Sequence, residues 1–153
     1  MIFNLLDCDL AENAHAREGH RFLRAMLGQA AGAEHTGLSV YELPSGESAW
    51  AYHYELNREE WLIVVSGEVV VRTPAGEETL RAGDVTCFPI GSVGAHQVRN
   101  DSTSAARFAM PSSWAGDGYV AVRPDSNTAL IVGPGFRRIV PLDEDLGYWE
   151  REP

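Results

Sequence analysis

Lysine is absent from this 153-residue chain; all 12 basic residues are arginine. That absence excludes Schiff-base chemistry, anchoring of pyridoxal phosphate and a phosphate-loop lysine. Basic charge is scarce overall: against 22 acidic residues it leaves a formal net charge of -10. A nucleic-acid or anionic-membrane surface needs clustered positive charge, so the partners expected are a small molecule and other protein, with no nucleic acid and no membrane. Cysteine is limited to Cys8 and Cys87, far apart and at no zinc spacing, which suggests two reduced thiols with Cys87 buried. The N-terminal MIFNLLDCDLAEN shows neither a basic leader nor a long apolar segment, which makes the cytoplasm the expected address. The length suits one domain, taken as residues 1–153.

Short β-branched and aromatic runs dominate from Gly37 onward. LSVYEL, SAWAYHYE, EWLIVV, VVVRT, VTCFP, HQVRN, AARFAM, GYVAVR and ALIVG are each bounded by Gly, Pro, Ser or Asp. Strands at this spacing, with no convincing helix among them, predict an all-β sandwich or barrel. WLIVV lacks polar alternation, so both its faces should be covered, by a second sheet or by another subunit. The first forty residues are less regular. DLAE (Asp9 to Glu12) fits a capping box, whereas RFLRAM (Arg21 to Met26) alternates as a strand does, and the strand is the reading preferred there. GPGF (Gly133 to Phe136) is a turn and no phosphate loop. Tyr148 and Trp149 in the acidic tail are expected to dock on the barrel or a neighbouring chain.

Acid is concentrated in AYHYELNREEW, Ala51 to Trp61, just before the apolar run. On a strand His53 and Glu55 share a face, and a hairpin would return Glu60 to them. His96 follows the loop PIGSVGA, whose glycines permit tight turns and close backbone approach. His53, Glu55, Glu60 and His96 together form a mixed nitrogen and oxygen donor set suited to one divalent ion of Mn, Fe, Ni or Zn. Converging carboxylates in an apolar barrel repel one another unless a cation offsets them. By alternation Tyr52, Tyr54 and Trp61 fall on the opposite face, for packing in a core or interface, and Glu59 faces solvent. His15, His20 and His35 have no partner at metal spacing and are read as surface or loop residues.

Two spaced motifs make the chain resemble the cupins. Gly46, His53, Glu55, Glu60 and Gly67 stand at the positions of that family's first motif, and Gly83, Pro89, Gly91, His96 and Asn100 at those of its second. The resemblance covers Gly37 to Met110 and is strongest to small single-domain bacterial cupins. It implies a double-stranded β-helix, or jelly-roll barrel, with an N-terminal extension and a short C-terminal tail. It also implies that His53, Glu60 and His96 ligate metal. Glu55 stands where the family usually has a second histidine; it is a fourth ligand, a group supporting the ligands from behind, or a general base beside a three-ligand site. The Gly46–His53 spacing is one residue longer than usual and the Gly91–His96 segment two longer; loop insertions of this kind are inexpensive.

The cupin barrel hosts many reactions, so the fold alone does not select one. The expectation is a metal-dependent enzyme acting on a small polar molecule by dioxygenase- or isomerase-like chemistry. The alternative is a non-catalytic binding or sensing module on the same barrel. A homodimer is expected under either. Tyr41, Arg72, Phe88, Gln97 and Phe108 are the candidates for lining the barrel mouth.

Overall fold

The β-branched runs form antiparallel strands, and the computed structural model describes residues 1–14, 16–113 and 118–143 of them and their connections. His15, Tyr148 and Trp149 lie outside the described residues. One sheet joins β1 (Ala11–Glu12), β2 (Leu23–Met26), β3 (Thr36–Leu43), β10 (Ala106–Ser113), β5 (Glu60–Ser66) and β8 (Val85–Phe88), in that spatial order. A second joins β13 (Phe136–Pro141), β12 (Thr128–Gly133), β11 (Tyr119–Arg123) and β4 (Tyr54–Glu55). A third joins β7 (Gly76–Arg81), β6 (Glu68–Thr73) and β9 (Gln97–Arg99). The result is the all-β jelly-roll expected. Among the described residues no helix is long and apolar enough to cross a membrane.

The N-terminal region follows the strand reading. Ala11 and Glu12 pair with β2, so DLAE opens no helix. A five-residue helix α1 (Leu27–Ala31) follows β2 directly and had no clear signal in the sequence.

WLIVV is covered on both faces, as its pattern demands. Leu62 and Val64 enter a core with Phe22, Leu43, Val98 and Phe108, all of them buried. Ile63 and Val65 pack on the other side against Leu27, Val40 and Ala109, together with Leu5 and Leu10 of the N-terminal segment. The cover for the second face therefore comes from this chain itself. Each fully buried aliphatic or aromatic side chain of this kind contributes about 1.5–3 kcal/mol. Trp61 is 45% exposed and so is no part of this core. Cys87 is half-buried rather than buried, because it sits on β8 at the sheet edge.

The expected hairpin between SAWAYHYE and EWLIVV does not form. Only Tyr54–Glu55 becomes strand, and it pairs with β11, while β5 lies between β10 and β8. The residues before it are tied by isolated bridges, Ser48 to Arg99 and His53 to His96. A direct backbone bridge brings the two histidines together, and Glu60 reaches them from β5 without the hairpin.

Candidate metal centre

His53 and His96 exchange backbone hydrogen bonds of 3.1 and 2.8 Å, which sets their rings 4.7 Å apart. Each ring is then anchored by its own turn: Nδ1 of His53 lies 2.9 Å from the Ala51 carbonyl, and Nδ1 of His96 lies 2.9 Å from the Gly94 carbonyl. A carbonyl only accepts, so each Nδ1 carries the proton and each Nε2 presents a lone pair. Burial keeps both rings neutral. It lowers His53 to about 4, with Arg58 and Arg123 adding to the effect, and lowers His96 to about 3, with His53 adding to it.

The loop before His96 explains its glycines. Gly91 has φ 85°, and a Cβ on Gly94 would lie 1.8 Å from the Pro89 carbonyl oxygen. Only glycine allows that approach, and the Gly94 carbonyl it positions is the acceptor that orients His96. Phe88 completes the setting by stacking on the His96 ring at 3.7 Å and 7°.

Glu60, the first residue of β5, places Oε2 3.9 Å from His53 Nε2 and 3.6 Å from His96 Nε2. These three residues offer donor atoms that all lie within 4.8 Å of one another. His96 Nε2 is buried and has no hydrogen-bond partner among the described residues. A buried acceptor aimed at a carboxylate is costly unless a cation lies between them. Two neutral imidazoles and a carboxylate suit a borderline divalent ion, so the residues present fit a metal of the kind expected.

Glu55 shares the face of His53, as alternation predicts, with Oε1 3.8 Å from His53 Nε2. It is not one of the three clustered donors. Its Oε1 accepts a 2.7 Å hydrogen bond from Arg58, and its Oε2 is buried with no partner among the described residues. Burial pushes its carboxyl up to about 7 despite the opposing pull of Arg58. Burial also raises Glu60, again against Arg58, whose Nη2 lies 3.4 Å from Glu60 Oε1.

Arg58 escaped the reading of the sequence, although it stands inside the acidic stretch among the carboxylates it serves. Its guanidinium also lies 4.3 Å over the Tyr119 ring. Of the candidates for the mouth, Tyr41 lines a cavity of about 590 Å³ that also reaches His53, Glu55, Arg58 and Glu60. Phe108 is buried behind Tyr41 and stacks on it at 5.2 Å, while Phe88 backs His96. Arg72 instead pairs with Asp125 and covers the buried Tyr52 ring at 4.0 Å, and Gln97 donates to the Trp50 carbonyl. Glu59 and His35 are exposed and His20 is half-buried. Asn100, the last motif residue, is structural: its buried amide donates to the Leu43 and Ser104 carbonyls.

Comparison with known proteins agrees with this architecture. Residues 39–111 match the family model described as Cupin domain, close to the span read from the motifs. No curated protein matches the chain. A sugar phosphate isomerase of the cupin superfamily from Silicibacter pomeroyi is 20% identical, with a TM-score of 0.82, covering 98% of this chain and 99% of its own. A protein provisionally named a sugar phosphate isomerase, from Acidithiobacillus ferrooxidans, is 21% identical, with a TM-score of 0.82, over 94% of this chain and 92% of its own. A predicted oxalate decarboxylase from Thermotoga maritima is 20% identical, with a TM-score of 0.62, over 74% of this chain and 98% of its own. At these identities the likeness is one of fold.

Proposed function

We propose that this chain, whose residues 39–111 match the Cupin domain model, is a metal-dependent enzyme that moves a proton on a small, oxygen-rich molecule bound in the cavity. The observation that carries this reading is the meeting of His53 and Glu60, on the cavity wall, with the buried His96, and the unpartnered Oε2 of Glu55 beside them. His53, Glu60 and His96 are the residues that would hold a divalent ion, of Zn, Fe, Mn or Ni. Such an ion would supply Lewis-acid polarisation of a substrate oxygen. Glu55 is placed to take and return a proton at Oε2, while Arg58 fixes its other oxygen. Tyr41 and Trp50 line the cavity as an aromatic wall, with Phe108 packed behind Tyr41, and limit water around the bound molecule. Shuttling a proton within one substrate is isomerase chemistry, and it needs no oxidant. The names of two structural neighbours agree in kind with that choice.

Two measurements test the reading in sequence. Mass spectrometry of the purified chain should find close to one first-row divalent ion per chain. Metal-loaded protein in deuterated water should then exchange a carbon-bound proton of an α-hydroxy carbonyl compound within a metabolite panel, and Glu55→Gln should lose that exchange. Absence of metal uptake overturns the proposal. Thermal stabilisation by a ligand without exchange would instead favour a non-catalytic binding module. A homodimer is part of the same proposal, supported by the exposed Trp61 and Val85 on β5 and the edge strand β8. Sedimentation giving a monomer would remove that part alone.

A further inference from the structure

The charge inside the cavity runs opposite to the charge of the chain. The sequence has 22 acidic residues against 12 arginines, yet the cavity is lined by Arg24, Arg58, Arg123 and Arg137 and by only two acids, Glu55 and Glu60. Those two acids share Arg58, and the metal reading assigns Glu60 to the ion. Arg24, Arg123 and Arg137 make no ion pair among the described residues. Elsewhere Arg21, Arg72, Arg81, Arg99 and Arg107 each hold a carboxylate. Among the described residues Arg17 and Arg138 are also without one, but neither lines the cavity.

The sheet explains why these arginines face inward. On β11, Tyr119, Ala121 and Arg123 alternate onto one face, and Ala121 pairs with Glu55 on β4. Across β12, Val132 pairs with both Tyr119 and Arg137, which carries the same face to β13. Arg24, paired with Tyr41, faces them from the other sheet. Of the two on this sheet Arg123 stands nearer the chemistry, since β11 pairs directly with β4, which carries Glu55, whereas Arg137 on β13 lies two strands further out. A guanidinium held in a concave, partly apolar site without a counter-charge attracts anions, and its flat fork matches an oxyanion.

We propose that the substrate of this cavity carries an oxyanion, a phosphate ester or a carboxylate, gripped by Arg123, with Arg24 and Arg137 drawing it in from the rim. This rests on the functional reading above for the location of the reacting end, and it adds the chemical class of the substrate. A neutral sugar or alcohol would leave the half-buried Arg123 guanidinium without a counter-charge among the described residues.

The test uses the full chain, with metal content measured first, and calorimetry at constant ionic strength with glycerol, glycerol 3-phosphate and glycerate as probes. Glycerol should not bind measurably; at least one of the two anions should. The stronger of them identifies the oxyanion. Arg123→Gln should weaken that binding by at least about tenfold, the loss of one charge-assisted hydrogen bond. Arg123→Lys should recover part of it. Arg138→Gln, one residue from Arg137 and on the outer face of β13, should stay within about twofold of the parent by the same strand alternation. Equal binding of glycerol and both anions, or equal effects of Arg123→Gln and Arg138→Gln, would overturn the proposal. A chain that takes up no metal yet binds an anion through Arg123 would remove the metal reading and leave this one standing.

Discussion

Arginine meets carboxylate in two different ways on this molecule. On the outer face Arg99 spans Glu77 at 2.6 and 2.7 Å and Asp101 at 2.9 Å, and Arg72 grips Asp125 at 2.6 and 3.0 Å. Those sites are closed: every charge has its opposite at hydrogen-bond distance, and the carboxyls of Glu77 and Asp125 are held below their ordinary values by their arginines. In the cavity one guanidinium serves two carboxylates, and burial raises both carboxyls despite it. Two histidine nitrogens face the same point. The difference teaches where a cation is wanted: the surface uses ion pairs as structure, and the His53, Glu60 and His96 end of the cavity leaves carboxylate and lone pairs for an ion to complete.

The largest expected effect comes from removing a lone pair. His96→Ala should lower divalent-metal affinity by at least about a hundredfold, since even groups that only orient a ligand are worth about 10–100-fold. His20→Ala, a histidine with no partner in the donor cluster, should bind metal like the parent. Equilibrium dialysis with metal analysis checks both, and equal affinities for the two variants would contradict the assignment.

Next comes the shared arginine. Arg58→Gln removes a positive charge that competes with the ion for Glu55 and Glu60. Divalent-metal affinity should rise by at least about tenfold, given the strength of a unit charge a few ångströms away in a cavity mouth. The metal-free variant should at the same time melt lower than the parent, because removing one partner leaves buried carboxylates uncompensated. Thermal melts with and without metal would show a larger metal-induced rise in Arg58→Gln than in the parent. A smaller rise would mean that Arg58 mainly holds Glu60 in place for the ion.

Much of this centre was legible in the chain. The motif spacing of the cupin resemblance singled out His53, Glu60 and His96, whose donor atoms the fold brings within 4.8 Å of one another, while period-two alternation paired His53 with Glu55. The jelly-roll class followed from short runs with regular punctuation, and the double cover of β5 followed from its lack of polar alternation. The hairpin was misread because sequence proximity favours local pairing, whereas β4 pairs with β11 from more than 60 positions away. The arginine lining was not visible for a related reason. Arg24, Arg123 and Arg137 come from three strands with no shared spacing, and only the sheet register sets them on one cavity.

A smaller effect is set by Glu55. Its folded value of about 7 lies above the ordinary carboxyl value. Ionising it therefore costs stability, and that cost appears as pH rises from the ordinary value near 4.5 through 7 and is constant above. Glu55→Gln abolishes the dependence. The melting temperature of the metal-free variant, relative to the metal-free parent, should rise between pH 4.5 and pH 7.5. A relative melting temperature that falls with pH would show instead that Arg58 dominates and holds Glu55 ionised.

The smallest effect belongs to the closed sites on the surface. Arg99→Gln breaks contacts to Glu77 and Asp101, but all three groups remain in reach of water and the freed carboxylates are resolvated. Exposed pairs of this kind contribute about 0.2–1 kcal/mol, and the gain fades as salt screens it. Urea unfolding should show a loss within that range at low salt and almost none at about 1 M salt, where the Debye length is only about 3 Å. Metal affinity should not change. If Arg99→Gln altered metal binding as strongly as Arg58→Gln, the cavity and the outer face would share one electrostatic system, and the contrast between closed and open sites would fail.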